Sequence, residues 1–308
     1  MVRQSVQVGG IRKGGGKMEF YVCEAGSAFC TSKLEGAFRA RACNCNKYSV
    51  GTVTVVGGSG HYIHAPVIAG LGARVAGAGL VQLVVPDASR ICAGSLVPEA
   101  TFTKLVATCV PPRADVNVIG MGLGVSVSTE VILSRLLSGS QGRFVLDADA
   151  LTILANWYGK NDGYDPAKGQ ELVLTPHEGE AARLLGWTKE KVVADRVGSA
   201  LALVERYGAT VVLKGPKTLV VSADGEKVYE NRTGNPFMAL GGMGDLLAGV
   251  IGARWAYLKG DPFLAAASGV WLHSSASDAV VERAQDASIV NTAAEIGSMR
   301  VCLDGKGE

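Results

Sequence analysis

The chain of 308 residues is 48% apolar and 19% charged, which excludes global disorder and leaves ample material for a large packed core. A net charge of +2 argues against a nucleic-acid binder. No apolar run reaches the roughly 18 uncharged residues of a lone membrane span.

The charge is uneven. Residues 1–47 hold eight Lys/Arg against three Asp/Glu, whereas the rest holds 22 against 25, so the front is basic and the body mildly acidic. Residues 1–46 are Gly-rich ("VGGIRKGGGK") and follow no helical or strand period. They also lack the apolar stretch of a secretory leader. They read as a basic, loosely ordered extension outside the fold, with Met18 an alternative start. The seven cysteines, at 23, 30, 43, 45, 92, 109 and 302, are odd in number and scattered, which fits a reducing compartment. No C-x2-C pair stands among the front four, so zinc is not expected.

From residue 51 the pattern becomes regular. Residues 52–58 ("TVTVVGG") are a β-branched run ended by Gly, the mark of a buried strand. Residues 65–79 predict a helix of small side chains that can lie close on a sheet. Strands follow over 80–86 and 116–120, the second leading into "GMGLG" and a helix over 126–137. "RFVLDADAL" runs from a strand into a short helix. The strand over 171–176 stops at Pro176, with a helix beyond. A strand over 210–215 precedes "LVVSADGEKVYEN", a hairpin turning at Asp224-Gly225. Two long helices fill most of 243–281.

Continuous apolar strands alternating with helices predict a three-layer α/β/α fold with a mostly parallel central sheet. Right-handed crossovers place the strands' C-terminal ends on one edge, where such folds bind ligands. Polar residues gather at those ends: Gly57-Gly58-Ser59, Gly120 to Gly124, Asp147 and Asp149, Thr175-Pro176-His177, and Lys214-Gly215. Solvated loops explain any one of these and explain the set poorly. Residues 47–303 read as one domain.

Gly241-Gly242-Met243-Gly244-Asp245 stands immediately before a long apolar run. On one reading Asp245 caps a helix and the glycines make a turn. On the other, glycine N–H groups hold a phosphate and Asp245 does chemistry beside it.

With "VVGGSGHYIHAPVIAGLGARVAGAGLV", "GMGLG", "VLDADAL", "TPHEGEAARLLG", "LKGPKTLV" and "GNPFMALGGMGDLLAGVIG" in this order, the chain resembles the NAD(P)H-hydrate dehydratase family over roughly residues 47–300. The last motif alone resembles any ribokinase-like chain; "TPHEGE" with "VLDADAL" narrows the resemblance to the dehydratase branch. The resemblance implies repair of hydrated NADH and NADPH. The ring hydroxyl is phosphorylated from a nucleotide and the phosphate leaves by elimination, which restores the reduced cofactor. "GAGLV" and "TPHEGE" resemble the bacterial type, which uses ADP and releases AMP; eukaryotic members use ATP. Magnesium is expected to assist.

The resemblance also implies residue roles. Asp245 is the catalytic base and, with Ala65, Gly124 and His177, contacts the hydrated nucleotide. Lys214, Gly215, Pro216, Lys217 and Thr218, with Gly244, hold the adenine nucleotide. Asp149, Glu180, Asn235 and Gly242 support them, and Gly242 to Gly244 form an anion hole. The dipole of the following helix is expected to keep Asp245 ionised. Related kinases carry Asn-x-x-Glu where His177 and Glu180 stand, so no metal ligands are assigned. The family's His-Lys before the first strand is Asn46-Lys47 here. The front is too short for the epimerase domain fused in some members, so either a separate epimerase exists or only one epimer is used. A homo-oligomer, for example a tetramer, and a cytoplasmic location are expected; no nucleic-acid or membrane partner is.

The rival within the fold is a kinase of a small alcohol or vitamin precursor, which would leave a stable phosphorylated product. A silent nucleotide-binding protein would bind without turnover. A nicotinamide oxidoreductase would need a complete G-x-G-x-x-G and a ribose-binding acid, which "GMGLG" lacks.

Overall fold

The computed structural model describes residues 18–24, 36–139, 141–159 and 165–305. In chain order the elements are β1 (Glu19–Cys23), α1 (Lys47–Val50), β2 (Thr52–Val56), α2 (Ala65–Val75), β3 (Leu80–Val85), α3 (Asp87–Leu96), β4 (Thr101–Lys104) and β5 (Val116–Ile119). Then come α4 (Val127–Leu137), β6 (Arg143–Leu146), α5 (Asp149–Gly159), β7 (Glu171–Leu174), α6 (Glu178–Leu185), α7 (Lys189–Ala194), α8 (Arg196–Tyr207) and β8 (Thr210–Leu213). The hairpin β9 (Thr218–Val221) and β10 (Lys227–Asn231) follows, then a short 3-10 turn (Pro236–Met238), α9 (Met243–Leu258), α10 (Pro262–Glu282) and α11 (Ile289–Asp304).

Among the described residues the strands form a ten-stranded sheet in the order β1-β10-β9-β8-β7-β6-β5-β2-β3-β4. From β8 to β4 every neighbouring pair is parallel; β9 is antiparallel to both β8 and β10. Alternate side chains feed two cores. Leu83, Val118, Val145, Val173 and Val212 pack with α2, α9 and α10, while Val84, Ile119, Leu146, Leu174 and Leu213 pack with α4, α5, α6 and α8. This is the predicted three-layer α/β/α arrangement, and burial on both faces explains the unbroken apolar strands. The chain leaves β2 toward β3 and β4 on one side and returns to β5 on the other. The order therefore switches between β2 and β5, where a ligand crevice is expected.

The front segment departs from expectation. Glu19–Cys23 adds a parallel strand along β10, in register with Lys227–Asn231, and Cys23 is fully buried. Ala37 is buried as well, and its carbonyl accepts from the guanidinium of Arg254, which is 0% exposed in α9. Arg39 donates to Tyr257 O at 3.1 Å, and Arg41 to Gly77 O at 2.6 Å. Arg39 and Arg41 thus cap carbonyls and lie over the Tyr257 ring. Residues 1–17 and 25–35 lie outside the described residues, so the expected loose extension is corrected only for residues 18–24 and 36–46. Asn46, in the place of the family's His, caps α1 by accepting from Tyr48 N and Ser49 N at 3.0 Å.

Candidate functional site

The strand ends meet as predicted. The floor between them is backbone laid on backbone. Gly120 follows β5 at φ 127°, and a Cβ there would stand 1.9 Å from Asp147 O after β6. No L-side chain fits that contact, which accounts for the Gly. Tyr62, in the loop after β2, lies against Gly122 and is itself exposed. Ala65 opens α2 beside this loop.

Asp149 opens α5, and its Oδ2 accepts from Gly124 N at 2.7 Å. Two residues of separate expected roles are therefore one unit, with Asp149 fixing the glycine loop. Asn235 orders the loop before the anion hole: Nδ2 donates to Asp278 Oδ1 at 2.9 Å and Ser277 Oγ at 3.2 Å, and Oδ1 accepts from Phe237 N at 3.1 Å.

His177 caps α6. Its Nδ1 accepts from Gly179 N at 3.0 Å and Glu180 N at 3.3 Å, while Glu180 Oε2 accepts from His177 N at 2.8 Å. This reciprocal box leaves Nε2 3.6 Å from Glu180 Oε1, on a side chain 60% exposed. Glu178 pairs with Arg196, whose Nη2 also donates to Leu213 O at 3.1 Å and Lys214 O at 3.4 Å. Arg196 thereby ties α6 to the turn after β8. Nothing in the sequence marked this arginine.

The two lysines of that turn separate. Lys217 is exposed at φ 57°, and Thr218 Oγ1 closes the turn on Gly215 O at 2.9 Å, with Pro216 between. Lys214 instead turns inward. Its Nζ lies 2.6 Å from Asp147 Oδ1 and 3.9 Å from Glu180 Oε2. A Cβ on Gly244 would stand 3.4 Å from the same Nζ. Burial works against the ammonium, but Asp147 and Glu180 outweigh it and hold the Lys214 pKa above its ordinary value. Asp147, 1% exposed, is the residue that sequence reasoning placed at a strand end without a role.

Gly242, at φ 97°, is the N-cap of α9, so the capping role considered for Asp245 falls to a glycine. Asp245 sits in the first turn with no cap hydrogen bond. Its pKa is also not held down by the helix. Burial first, then the charge of Asp147, push it up to about 7; Lys214 opposes this, and Glu180 and Asp149 add to it. Desolvation and like charges exceed the dipole's few tenths to about 1 kcal/mol. Burial also raises Glu180, with Asp147 adding and Lys214 opposing.

Among the described residues no three His, Cys, Asp or Glu side chains are placed to hold a metal ion. The Lys214 ammonium already stands between Asp147 and Glu180. The described residues form no magnesium cage by themselves, so a magnesium ion here would arrive on nucleotide phosphates, with water completing its shell. No helix among the described residues is long and apolar enough to cross a membrane.

A profile of the NAD(P)H-hydrate dehydratase family matches residues 53–297. The ADP-dependent (S)-NAD(P)H-hydrate dehydratase of Neisseria meningitidis serogroup B is 42% identical over 257 residues, covering 80% of this chain and 83% of that protein. The bifunctional NAD(P)H-hydrate repair enzyme of Moorella thermoacetica is 38% identical over 269 residues, covering 82% of this chain and 48% of that protein. The fold matches that of the ADP/ATP-dependent NAD(P)H-hydrate dehydratase of Bacillus subtilis co-crystallised with ATP and Mg2+, at TM-score 0.76 and 24% identity, over 87% of this chain and 96% of that chain. With the profile matching residues 53–297, which include the crevice at the switch point of the sheet, this chain belongs to the NAD(P)H-hydrate dehydratase family.

Proposed function

We propose that this protein dehydrates hydrated NADH and NADPH at the expense of ADP, releasing AMP and phosphate. The observation that carries the reading is Asp245: a carboxylate in the first turn of a helix whose N-cap is Gly242, with its pKa pushed up to about 7. A base poised near neutrality can take a proton from an alcohol as it attacks.

The ring hydroxyl of the hydrated nicotinamide attacks the terminal phosphoryl of ADP. An O–P bond forms, the P–O bond to AMP breaks, and the hydroxyl proton passes to Asp245. The backbone N–H groups of Gly242 and Gly244 stabilise the charge that develops on the phosphoryl oxygens, while that of Met243 is held by Leu240 O at 3.3 Å. Phosphate then leaves the ring with its bonding pair while the ring loses a proton, and the reduced nicotinamide is restored. Magnesium, when bound with the nucleotide, neutralises phosphate charge. Ala65, Gly124 and His177 line the side taken by the hydrated nucleotide; Lys214 to Thr218 and Gly244 serve the adenine nucleotide; Asp149, Glu180, Asn235 and Gly242 support them. The Neisseria relative's name supports ADP and the S epimer. A separate epimerase would supply that epimer from the other. The enzyme would work as a homo-oligomer in the cytoplasm.

The test is a turnover assay with hydrated NADH, Mg2+ and either ADP or ATP, following the return of reduced-nicotinamide absorbance. Recovery with ADP, lost in Asp245→Asn, is expected. A stable phosphorylated product without recovery would replace this reading with a small-alcohol kinase.

A further inference from the structure

The crevice poses an electrostatic problem. Asp147, Glu180 and Asp245 converge on one ammonium, that of Lys214, in a place meant for an anionic phosphoryl group. A lysine on a flexible stem among several carboxylates could pair with any of them. The structure selects one. Lys214 Nζ is 2.6 Å from Asp147 Oδ1 and 3.9 Å from Glu180 Oε2, and Asp245 contributes only through its field. The carboxylate that wins comes from the end of β6, where the Gly120 contact grips its own carbonyl. Both partners then face the backbone of Gly244: a Cβ there would stand 3.4 Å from Lys214 Nζ and 4.0 Å from Asp147 Oδ2.

Resting on the dehydratase reading, we infer that Asp147 is a positioning residue: it holds the Lys214 ammonium at the start of α9, facing the transferred phosphoryl group, and so keeps Lys214 from pairing with the base Asp245. A buried ion pair is a weak device for stability alone. As a positioning device it has two effects. The cation stays where phosphate charge develops, and Asp245 keeps carboxylate neighbours in place of an ammonium. The charged groups facing Asp245 are Asp147 from the end of β6, Asp149 from α5, Glu180 from α6 and Lys214 from the end of β8; His177 faces Glu180.

The experiment compares Asp147→Asn, Asp147→Glu and Lys214→Met, singly and as the Asn/Met double variant, in the hydrated-NADH assay across pH. Asp147→Asn keeps the shape and frees Lys214. It is expected to lower kcat by about tenfold or more, to change the KM for ADP by less than about threefold, and to move the acid limb of kcat/KM down by about one pH unit. Asp147→Glu is expected to restore the limb in part, and Asp147→Asn to cost no further kcat in the Lys214→Met background, although the direct loss of the Asp147 charge still moves the limb there. An unmoved limb with unchanged kcat, or losses that add independently, would overturn the inference. A second measurement needs neither turnover nor folding of a variant at Asp147. In 15N-lysine-labelled parent protein, Lys214 is expected to give a slowly exchanging ammonium signal, absent in Lys214→Met, that shifts when ADP is added. Without a protected signal the inference falls even if the enzyme is a dehydratase. With that signal but no return of NADH in the parent, the tether stands and the dehydratase reading falls.

Discussion

Asp149 Oδ2 accepts a hydrogen bond from Gly124 N at 2.7 Å, joining the first residue of α5 to the glycine loop after β5. A charge-assisted bond of this kind contributes about 1.5–3 kcal/mol, and here it shapes a loop rather than a core. Asp149→Ala is expected to raise the KM for hydrated NADH by about tenfold and to leave the KM for ADP nearly unchanged. Equal shifts in both constants would contradict this division of the crevice.

Asp245 is held at about pKa 7, well above its ordinary 3.8. Between those values the folded protein holds a proton that the unfolded chain has released, so stability falls as pH rises, up to about pH 7. Asp245→Asn removes that penalty. Without ligands it is expected to be more stable than the parent by about 3 kcal/mol at pH 8, the gain fading as pH falls toward 4. Its dehydratase rate is expected to fall by about 10²–10⁴. Urea titrations at pH 8 and pH 5 check the first, and the NADH assay the second.

His273 titrates in the opposite sense. It is 5% exposed in α10, its Nε2 has no hydrogen-bond partner among the described residues, and burial pushes its pKa down to about 4. Below the ordinary value of 6.5 the unfolded chain binds a proton that the folded protein refuses. Stability is lost as pH falls from 6.5 toward 4, by up to about 3 kcal/mol. The His273→Leu difference from the parent isolates this contribution from that of Asp245. The two acid unfolding curves should diverge steadily below pH 6.5; parallel curves would rule it out.

A chain shortened to begin at residue 47 loses β1 and the Ala37 carbonyl that Arg254 reaches. Arg254 keeps Asp304 at 3.5 Å, but its Nε already has no hydrogen-bond partner among the described residues. The shortened chain is expected to lose at least about 2 kcal/mol of stability, read as a lower urea midpoint. An unchanged midpoint would show that the front segment merely rests on the domain.

The parallel strands were legible because burial on both faces makes each one a continuous apolar run, and their polar ends announced the crevice. Edge strands carry no such mark: β4 (TFTK) has exposed ends, and β1 (EFYVC) is half-buried and, among the described residues, paired on one side, with β10. Lys217 and Lys214 look equivalent in a turn sequence, yet only the fold turns one inward toward Asp147. The Asp245 expectation failed for a similar reason. A helix dipole is visible in sequence, whereas burial and the approach of Asp147 from another strand are not.

The contact between Gly120 and Asp147 O has a bearing on how such a crevice diversifies. A floor on which no side chain fits has almost no mutational freedom, and drift there would be lost with the fold. The exposed ring of Tyr62 stands on the loop after β2, against Gly122, where the side chain is open to change. New ligand preferences in this architecture would therefore arise on the rim, while the phosphoryl-handling base is inherited unchanged.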